Sequence, residues 1–290
     1  MQASATNSGA AVAPPTIHIR ATHGLAALQL GEVWTFRELL YFLVWRDVKV
    51  RYKQTSLGIA WIVLQPLITL ALFYLIFGVL FGQRNTNQVP YPAFAFVALI
   101  PWTYFSGALT RAATSLVDGA QLISKVYFPR VLVPLSAVLA GLVDFAVACL
   151  PMIALLLFYK IVPTWRVLVL PLLLLLATIT ALGFSLWLAA LNVSYRDIKH
   201  IVPFLAQTWL YATPVMYATN LLPAQWRFVL ALNPMTAVVE GFRWALLGDL
   251  YAGAQLDPLV YALGIGIALL VCISGLFFFR ATERTFADVV

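Results

Sequence analysis

The stretch VLVLPLLLLLATITALGFSLWLAALNVSY, residues 167–195, holds no charged side chain. A helix rises about 1.5 Å per residue and the hydrocarbon core of a bilayer is about 30 Å thick, so about 20 apolar residues are enough to cross it. This stretch reads as a membrane-spanning helix, and outward from it the pattern recurs. Residues 57–82, 89–110, 201–226 and 258–279 are equally uncharged, and 131–158 contains a single acid, Asp144. A central Asp costs about 2.5–3.5 kcal/mol to insert. The sixteen Leu, Ile, Val and Phe residues of that segment each return at most about 0.3–0.6 kcal/mol, and their sum outweighs the acid. The expectation is an all-α integral membrane protein with six transmembrane helices. They fall at about 57–82, 91–112, 131–158, 167–191, 201–222 and 257–279, within one membrane domain over 57–280. Asp144 reads as pairing with a polar group inside the bundle rather than as a proton carrier.

Composition agrees. With 62% hydrophobic and 10% charged residues and a mean hydropathy of +0.91, the chain is far from a soluble domain, in which roughly a quarter of residues are charged. Cys149 and Cys272 both lie inside apolar stretches and read as packing residues, with no disulfide framework or metal spacing. Residues 1–33 lack the basic-then-apolar order of a signal peptide and read as a flexible cytoplasmic tail, as does 281–290. With the N-terminus inside, thirteen Lys and Arg fall on the cytoplasmic side and five (Arg84, Lys160, Arg166, Arg227 and Arg243) on the outer side. That asymmetry orients the chain with both ends in the cytoplasm. The formal charge of +7 is then a topology signal, and no nucleic-acid partner follows from it.

Four segments outside the spans carry pattern. Residues 34–56 suit an amphipathic helix lying in the membrane interface: Phe36, Leu40, Leu43, Val44 and Val48 gather on one side for the acyl boundary. Its candidate interface residues are Arg37, Arg46, Asp47, Lys49, Arg51 and Lys53, and the cations suit anionic headgroups and membrane lipids. Between spans 2 and 3, residues 115–125 can form a short cytoplasmic helix, which Phe128-Pro129 ends because a residue before proline leaves the helical region. NVSYRDIKH, 192–200, is a compact cytoplasmic turn. The long outer segment at about 222–257 contains NPMTAVVEGFRWALLG, with Asn233 as N-cap, Pro234 in the first helical position and Gly248 at the end. Glu240 and Arg243 would share a face of that helix, and it is expected to re-enter the outer leaflet.

Catalytic signatures do not occur in the sequence. No glycine precedes a lysine, so there is no G-x-x-x-x-G-K-[ST] phosphate loop. His18, His23 and His200 form no H-E-x-x-H, and there is no G-x-S-x-G elbow. No metal site is expected.

With those segments laid out, the chain resembles the membrane subunit of ATP-binding-cassette polysaccharide exporters, the Wzm-type permeases of O-antigen, capsule and teichoic-acid export. The residues that carry the resemblance are ordered from about 35 to 280. They are RELLYFLVWRDVKVRYKQTSLGIAWIVLQPL (37–67), LISKVYFPR (122–130), NVSYRDIKH (192–200), TPVMY (213–217) and NP followed by an outer helix (233–244). The resemblance implies a non-enzymatic transport subunit in the bacterial inner membrane, working as a homodimer beside two copies of a separate ATPase that binds ATP and Mg. It implies that 37–53 is an interface helix. It implies ATPase coupling through Gln121, Leu122, Ser124, Lys125, Tyr127 and Arg130, and a second contact at Tyr195, Arg196 and Asp197. Asn233, Pro234, Glu240, Arg243 and Trp244 would belong to an outer gate.

A pore for a lipid-linked sugar polymer needs surfaces that hold pyranose rings without gripping any one of them. Aromatic faces suit this, because the CH-rich face of a sugar lies well on a π-system. Candidates are Trp61, Phe73, Tyr74 and Phe77 in the first span, Tyr104 and Phe105 in the second, and Trp209, Tyr211 and Tyr217 in the fifth. Two other readings stay open. A drug or small-lipid exporter of the same superfamily would also favour aromatics. An integral membrane glycosyltransferase would need clustered acids or histidines at one face, whereas Glu240, Asp249 and Asp257 share a loop without a histidine.

Overall fold

The computed structural model describes residues 30–53, 58, 60–82, 85–86, 88–123, 125, 127–219, 223–251, 258–283 and 286. The tail over 1–29, the coupling candidate Ser124, Asp257 and the orienting cations Arg20, Arg84 and Arg284 lie outside them.

Helix α1 (Leu30–Thr35) leads into α2 (Arg37–Lys53). The first long apolar helix is α3 (Ala60–Phe73), continued by a π-helical stretch Tyr74–Leu80 in which the Phe81 N–H donates to the Ile76 carbonyl at 3.1 Å. A two-residue hairpin, β1 (Asn85–Thr86) with β2 (Val89–Pro90), turns the chain into α4 (Tyr91–Asp118). Then follow α5 (Ala120–Ile123), α6 (Leu132–Phe158), a 3-10 turn at Trp165–Val169, α7 (Leu170–Ser194), α8 (Ile198–Ala212), α9 (Ala224–Ala231), α10 (Pro234–Leu247) and α11 (Pro258–Thr282). Among the described residues, five helices are long and apolar enough to cross a membrane: α3 with its π-helical extension, α4, α6, α7 with its preceding turn, and α11.

The expected fifth span over 201–222 is shorter than the sequence reading has it. Helix α8 ends at Ala212, where Thr213 adopts an extended conformation with ψ 137°. Pro214 follows, and a residue before proline is driven out of the helical region. The expected cytoplasmic helix over 115–125 also divides differently. Residues 110–118 contain no proline or glycine, so α4 runs through to Asp118, and among the described residues the single turn of α5 follows it.

Helix α4 is the centre of the bundle, packing against α3, α6, α7, α8 and α10. Its buried Ala93, Ala95, Ala98, Ala108, Ala112 and Ala113 let neighbouring backbones approach, which is how apolar helices associate when no hydrophobic gradient separates them from lipid. The α7–α11 crossing uses the same device. A Cβ on Gly183 would stand 2.7 Å from the Cys272 backbone nitrogen, and one on Gly275 would stand 2.5 Å from the Gly183 carbonyl.

Helix α2 lies against α6. Phe36, Leu40 and Leu43 join a cluster that includes Leu116, Phe128 and Leu132, and Val48 is buried too. The face that the sequence reading assigns to the acyl boundary is therefore covered by protein. The outward side of α2 is itself apolar in part, with Tyr41, Phe42, Trp45 and Val50 exposed. Asp47 accepts a hydrogen bond from Ser136 of α6 at 3.1 Å and is paired with Arg46 at 2.8 Å.

Candidate functional site

Helices α3, α4, α6 and α8 enclose an open groove of about 540 Å³. Its lining is arranged by helical spacing. Trp61, Gln65 and Thr69 follow one another at intervals of four along α3, Thr103, Ser106 and Thr110 recur at intervals of three and four along α4, and Gly107 and Arg111 stand four apart beside them. Residues so spaced share a helix face. Facing them are Phe145 of α6 and Gln207 of α8, with Trp102 and Tyr104 completing the aromatic part. The groove thus presents the exposed Trp61 ring and the partly exposed Phe145 ring beside neutral hydroxyls and carboxamides, while Trp102 and Tyr104, each 3% exposed, back it from the core.

At the α2 end the groove is charged. Asp144 receives Arg51 on one carboxylate oxygen and the Tyr52 hydroxyl on the other. Arg111 approaches at 3.4 Å. Burial, reinforced by the Asp144 carboxylate, pushes the Tyr52 phenol up to about 12, so it remains a donor at physiological pH. The expectation that Asp144 pairs inside the bundle corresponds to this cluster.

A second buried polar cluster holds the opposite end. Asn233 caps α10 by accepting from the Met235 N–H at 3.1 Å, while its own amide donates to the Thr213 hydroxyl at 2.8 Å. Pro234 occupies the first helical position, and Gly248 ends the helix at φ 56°, a conformation that favours glycine. Arg243 is 0% exposed. It pairs with Glu240 at 2.9 Å, donates to the carbonyls of Pro214 (2.6 Å), Val215 (2.8 Å) and Phe94 (3.3 Å), and lies 3.6 Å from the centroid of the Phe94 ring. One guanidinium thereby ties α10 to α4 and to the turn after α8. Trp244 meets Trp165 edge-on and stands under the Arg166 guanidinium at 5.1 Å.

The sequence-derived aromatics divide. Trp61, 51% exposed, and Tyr104 line the groove. Phe73 and Phe105 are core residues, and Phe77 stacks on Phe81 and Tyr91. Trp209 is wedged edge-on between Phe105 and Phe184, where it fastens α8 to α4 and α7. The Tyr74 ring covers Gly78 of its own helix, where a Cβ would stand 2.6 Å from it. Tyr211 is exposed, and its carbonyl accepts the Tyr217 hydroxyl at 3.2 Å. None of these seven lines the groove. The reason is that an aromatic count says nothing of azimuth, and most rings here fill helix contacts. Trp102, Phe145 and Arg111 are not among the channel candidates, although Arg111 borders the polar stripe on α4.

Of the coupling candidates, Gln121 and Leu122 lie in α5, and Lys125 and Tyr127 follow it, exposed. Tyr195, Arg196 and Asp197 are exposed in the α7–α8 turn. Arg130 is engaged elsewhere: its guanidinium donates to the Glu283 carbonyl at 2.6 Å and its N–H to the Glu283 carboxylate at 3.1 Å, which ties the foot of α6 to the end of α11. On α2, Arg37 lies over Trp34, and Lys49 and Lys53 are exposed.

Long apolar helices gathered around a lined groove suit an integral membrane protein. The ABC-2 type transporter family matches residues 38–247, and the chain belongs to that family. It is 33% identical over 254 residues to an O-antigen export system permease protein, RfbA, of Myxococcus xanthus, covering 87% of this chain and 96% of that protein. It is 28% identical to the O-antigen export system permease protein RfbA of Klebsiella pneumoniae, covering 87% and 95%. It is 25% identical to the polysialic acid transport protein KpsM of Escherichia coli, covering 77% and 89%.

Proposed function

We propose that this chain is the permease subunit of an ATP-driven exporter that moves lipid-linked polysaccharide out of the cytoplasm across a bacterial inner membrane. The observation that carries the reading is the groove, in which the exposed Trp61 and the partly exposed Phe145 stand beside Gln65, Thr69, Thr103, Ser106 and Gln207. Ring faces hold the apolar side of a pyranose, and neutral hydroxyls and carboxamides exchange hydrogen bonds with its rim without fixing one sugar. The O-antigen export permeases and the polysialic acid transport protein among the relatives favour a polymer over a drug.

In this reading the chain has six spans with both ends inside, α8 being the fifth. Its 15 residues measure roughly 22 Å, so the turn over 213–219 would complete the crossing. The α2 end faces the cytoplasm and the α10 end the outside. A second copy would close the open side of the groove, and two copies of a separate ATPase, which bind ATP and Mg, would seat against Gln121, Leu122, Lys125 and Tyr127 and against Tyr195, Arg196 and Asp197. Helix α2 would transmit their movement through the Arg51–Asp144 pair, and α9 with α10 would form the outer gate. Arg130 takes a bracing role rather than a contact with the ATPase.

Trp61→Ala tests the pore. In cells whose own copy is deleted, the variant is expected to lower surface glycan about 2- to 10-fold, as the loss of one ring contact implies, while lipid-linked glycan accumulates inside and membrane protein levels hold. Normal surface glycan in cells that carry no copy at all would overturn the exporter reading.

A further inference from the structure

The charged end of the groove contains more positive charge than its acid requires. Asp144 is the one acid in the groove lining among the described residues, and Arg51 and Arg111 both face it. Arg51 alone neutralises the carboxylate, and with the Tyr52 hydroxyl it occupies both carboxylate oxygens. Arg111 is left at 3.4 Å, beyond the roughly 2.7–2.9 Å of a charge-assisted hydrogen bond. Its Nε is buried without a partner. A second cation inside a span is unfavourable unless something pairs with it, so Arg111 has a use that the internal ion pair does not supply.

The site is also shaped for that guanidinium. A Cβ on Gly107 would stand 2.9 Å from an Arg111 Nη atom, and one on Gly141 of α6 would stand 2.8 Å from the other. Two glycines thus make the slot in which the planar group sits, with its side chain one-third exposed towards the groove. A guanidinium is a planar fork that matches the oxygens of a phosphate, which can take two parallel hydrogen bonds from it.

We propose that Arg111, seconded by Arg51, forms a phosphate-ester site at the α2 end of the groove, which holds the phosphate or diphosphate joining the cargo to its lipid. The identity of the cargo rests on the exporter reading; the site itself rests on the excess cation and its glycine slot. A sugar entering beside Trp61 would then be followed by its anchor, with the anionic link lodged at Arg111.

The test uses the permease purified with its ATPase. Binding of a fluorescent long-chain alkyl diphosphate carrying no sugar is measured for the unaltered chain, Arg111→Gln and Arg111→Lys, alongside the alcohol of the same chain length. Arg111→Gln is expected to weaken diphosphate binding about 10- to 100-fold, the loss implied by one charge-assisted contact, and to leave alcohol binding unchanged. Arg111→Lys should retain part of the affinity. Equal binding of diphosphate and alcohol by the unaltered chain would overturn the site, as would an Arg111→Gln chain that binds both normally. Excess inorganic diphosphate should displace the probe from the unaltered chain, and this arm decides the matter if Arg111→Gln fails to assemble. Displacement by phosphatidylglycerol as readily as by unlabelled alkyl diphosphate would assign the site to bulk headgroups and overturn its link to the cargo. Continued glycan export by the unaltered chain without any diphosphate binding would refute this site and leave the exporter reading intact.

Discussion

Arg243→Met is expected to remove about 3–5 kcal/mol of folding stability, because it takes one partner from a buried charge pair and leaves the other uncompensated. Glu240 would lose its 2.9 Å counter-charge, and the carbonyls of Pro214, Val215 and Phe94 would each lose a donor in a place that water does not reach. The thermal melt of the purified protein reads the loss directly. Arg243→Lys should recover little, since a single ammonium cannot satisfy three carbonyls and a carboxylate in the directions a guanidinium reaches. Arg243→Met combined with Glu240→Leu should be less harmful than Arg243→Met alone, because the stranded carboxylate is gone. A melt unchanged by Arg243→Met would mean that this cluster does not hold α10 to the bundle.

The second large effect is expected at Asp144. Asp144→Leu leaves Arg51 and Arg111 facing each other without the carboxylate between them and deprives Tyr52 of its acceptor. Like-charge repulsion and loss of the pair act together on α2, whose other polar tie to α6 among the described residues is the Ser136–Asp47 hydrogen bond. Amide hydrogen exchange over Arg37–Lys53 should accelerate about 100-fold or more, which corresponds to roughly 3 kcal/mol of local opening. Exchange in α7 and α11, which are fastened to each other at Gly183 and Gly275, should change far less. Unaltered protection in α2 would remove the Arg51–Asp144 pair from any account of how movement reaches the groove.

Much of the helical plan was legible because its signals are local. Apolar runs marked five long helices, Asn233-Pro234 and Gly248 marked the bounds of α10, and Glu240 and Arg243 were expected on one face of it. Where the reading failed, the missing term was either a neglected local rule or a tertiary one. Thr213-Pro214 was in plain view and ends α8, yet the apolar run around it suggested a longer span. The covered face of α2 could not be foreseen, since an amphipathic pattern suits lipid and a neighbouring helix equally well. The groove was legible in part: Trp61, Gln65 and Thr69 on α3 and Thr103, Ser106 and Thr110 on α4 are polar or amphipathic stripes at helical spacing within apolar helices. Counting aromatics instead drew in Phe73, Phe105 and Trp209, which hold helices together. The Asp144 cluster joins residues 93 positions apart, and only the packing of α2 on α6 brings them into contact.

The most direct measurement is purification of the chain with a cassette ATPase, followed by ATP hydrolysis in lipid with and without lipid-linked glycan. The account predicts a stable complex whose turnover rises when glycan is added. A chain that binds no such ATPase, or a complex whose turnover is indifferent to glycan, would contradict it.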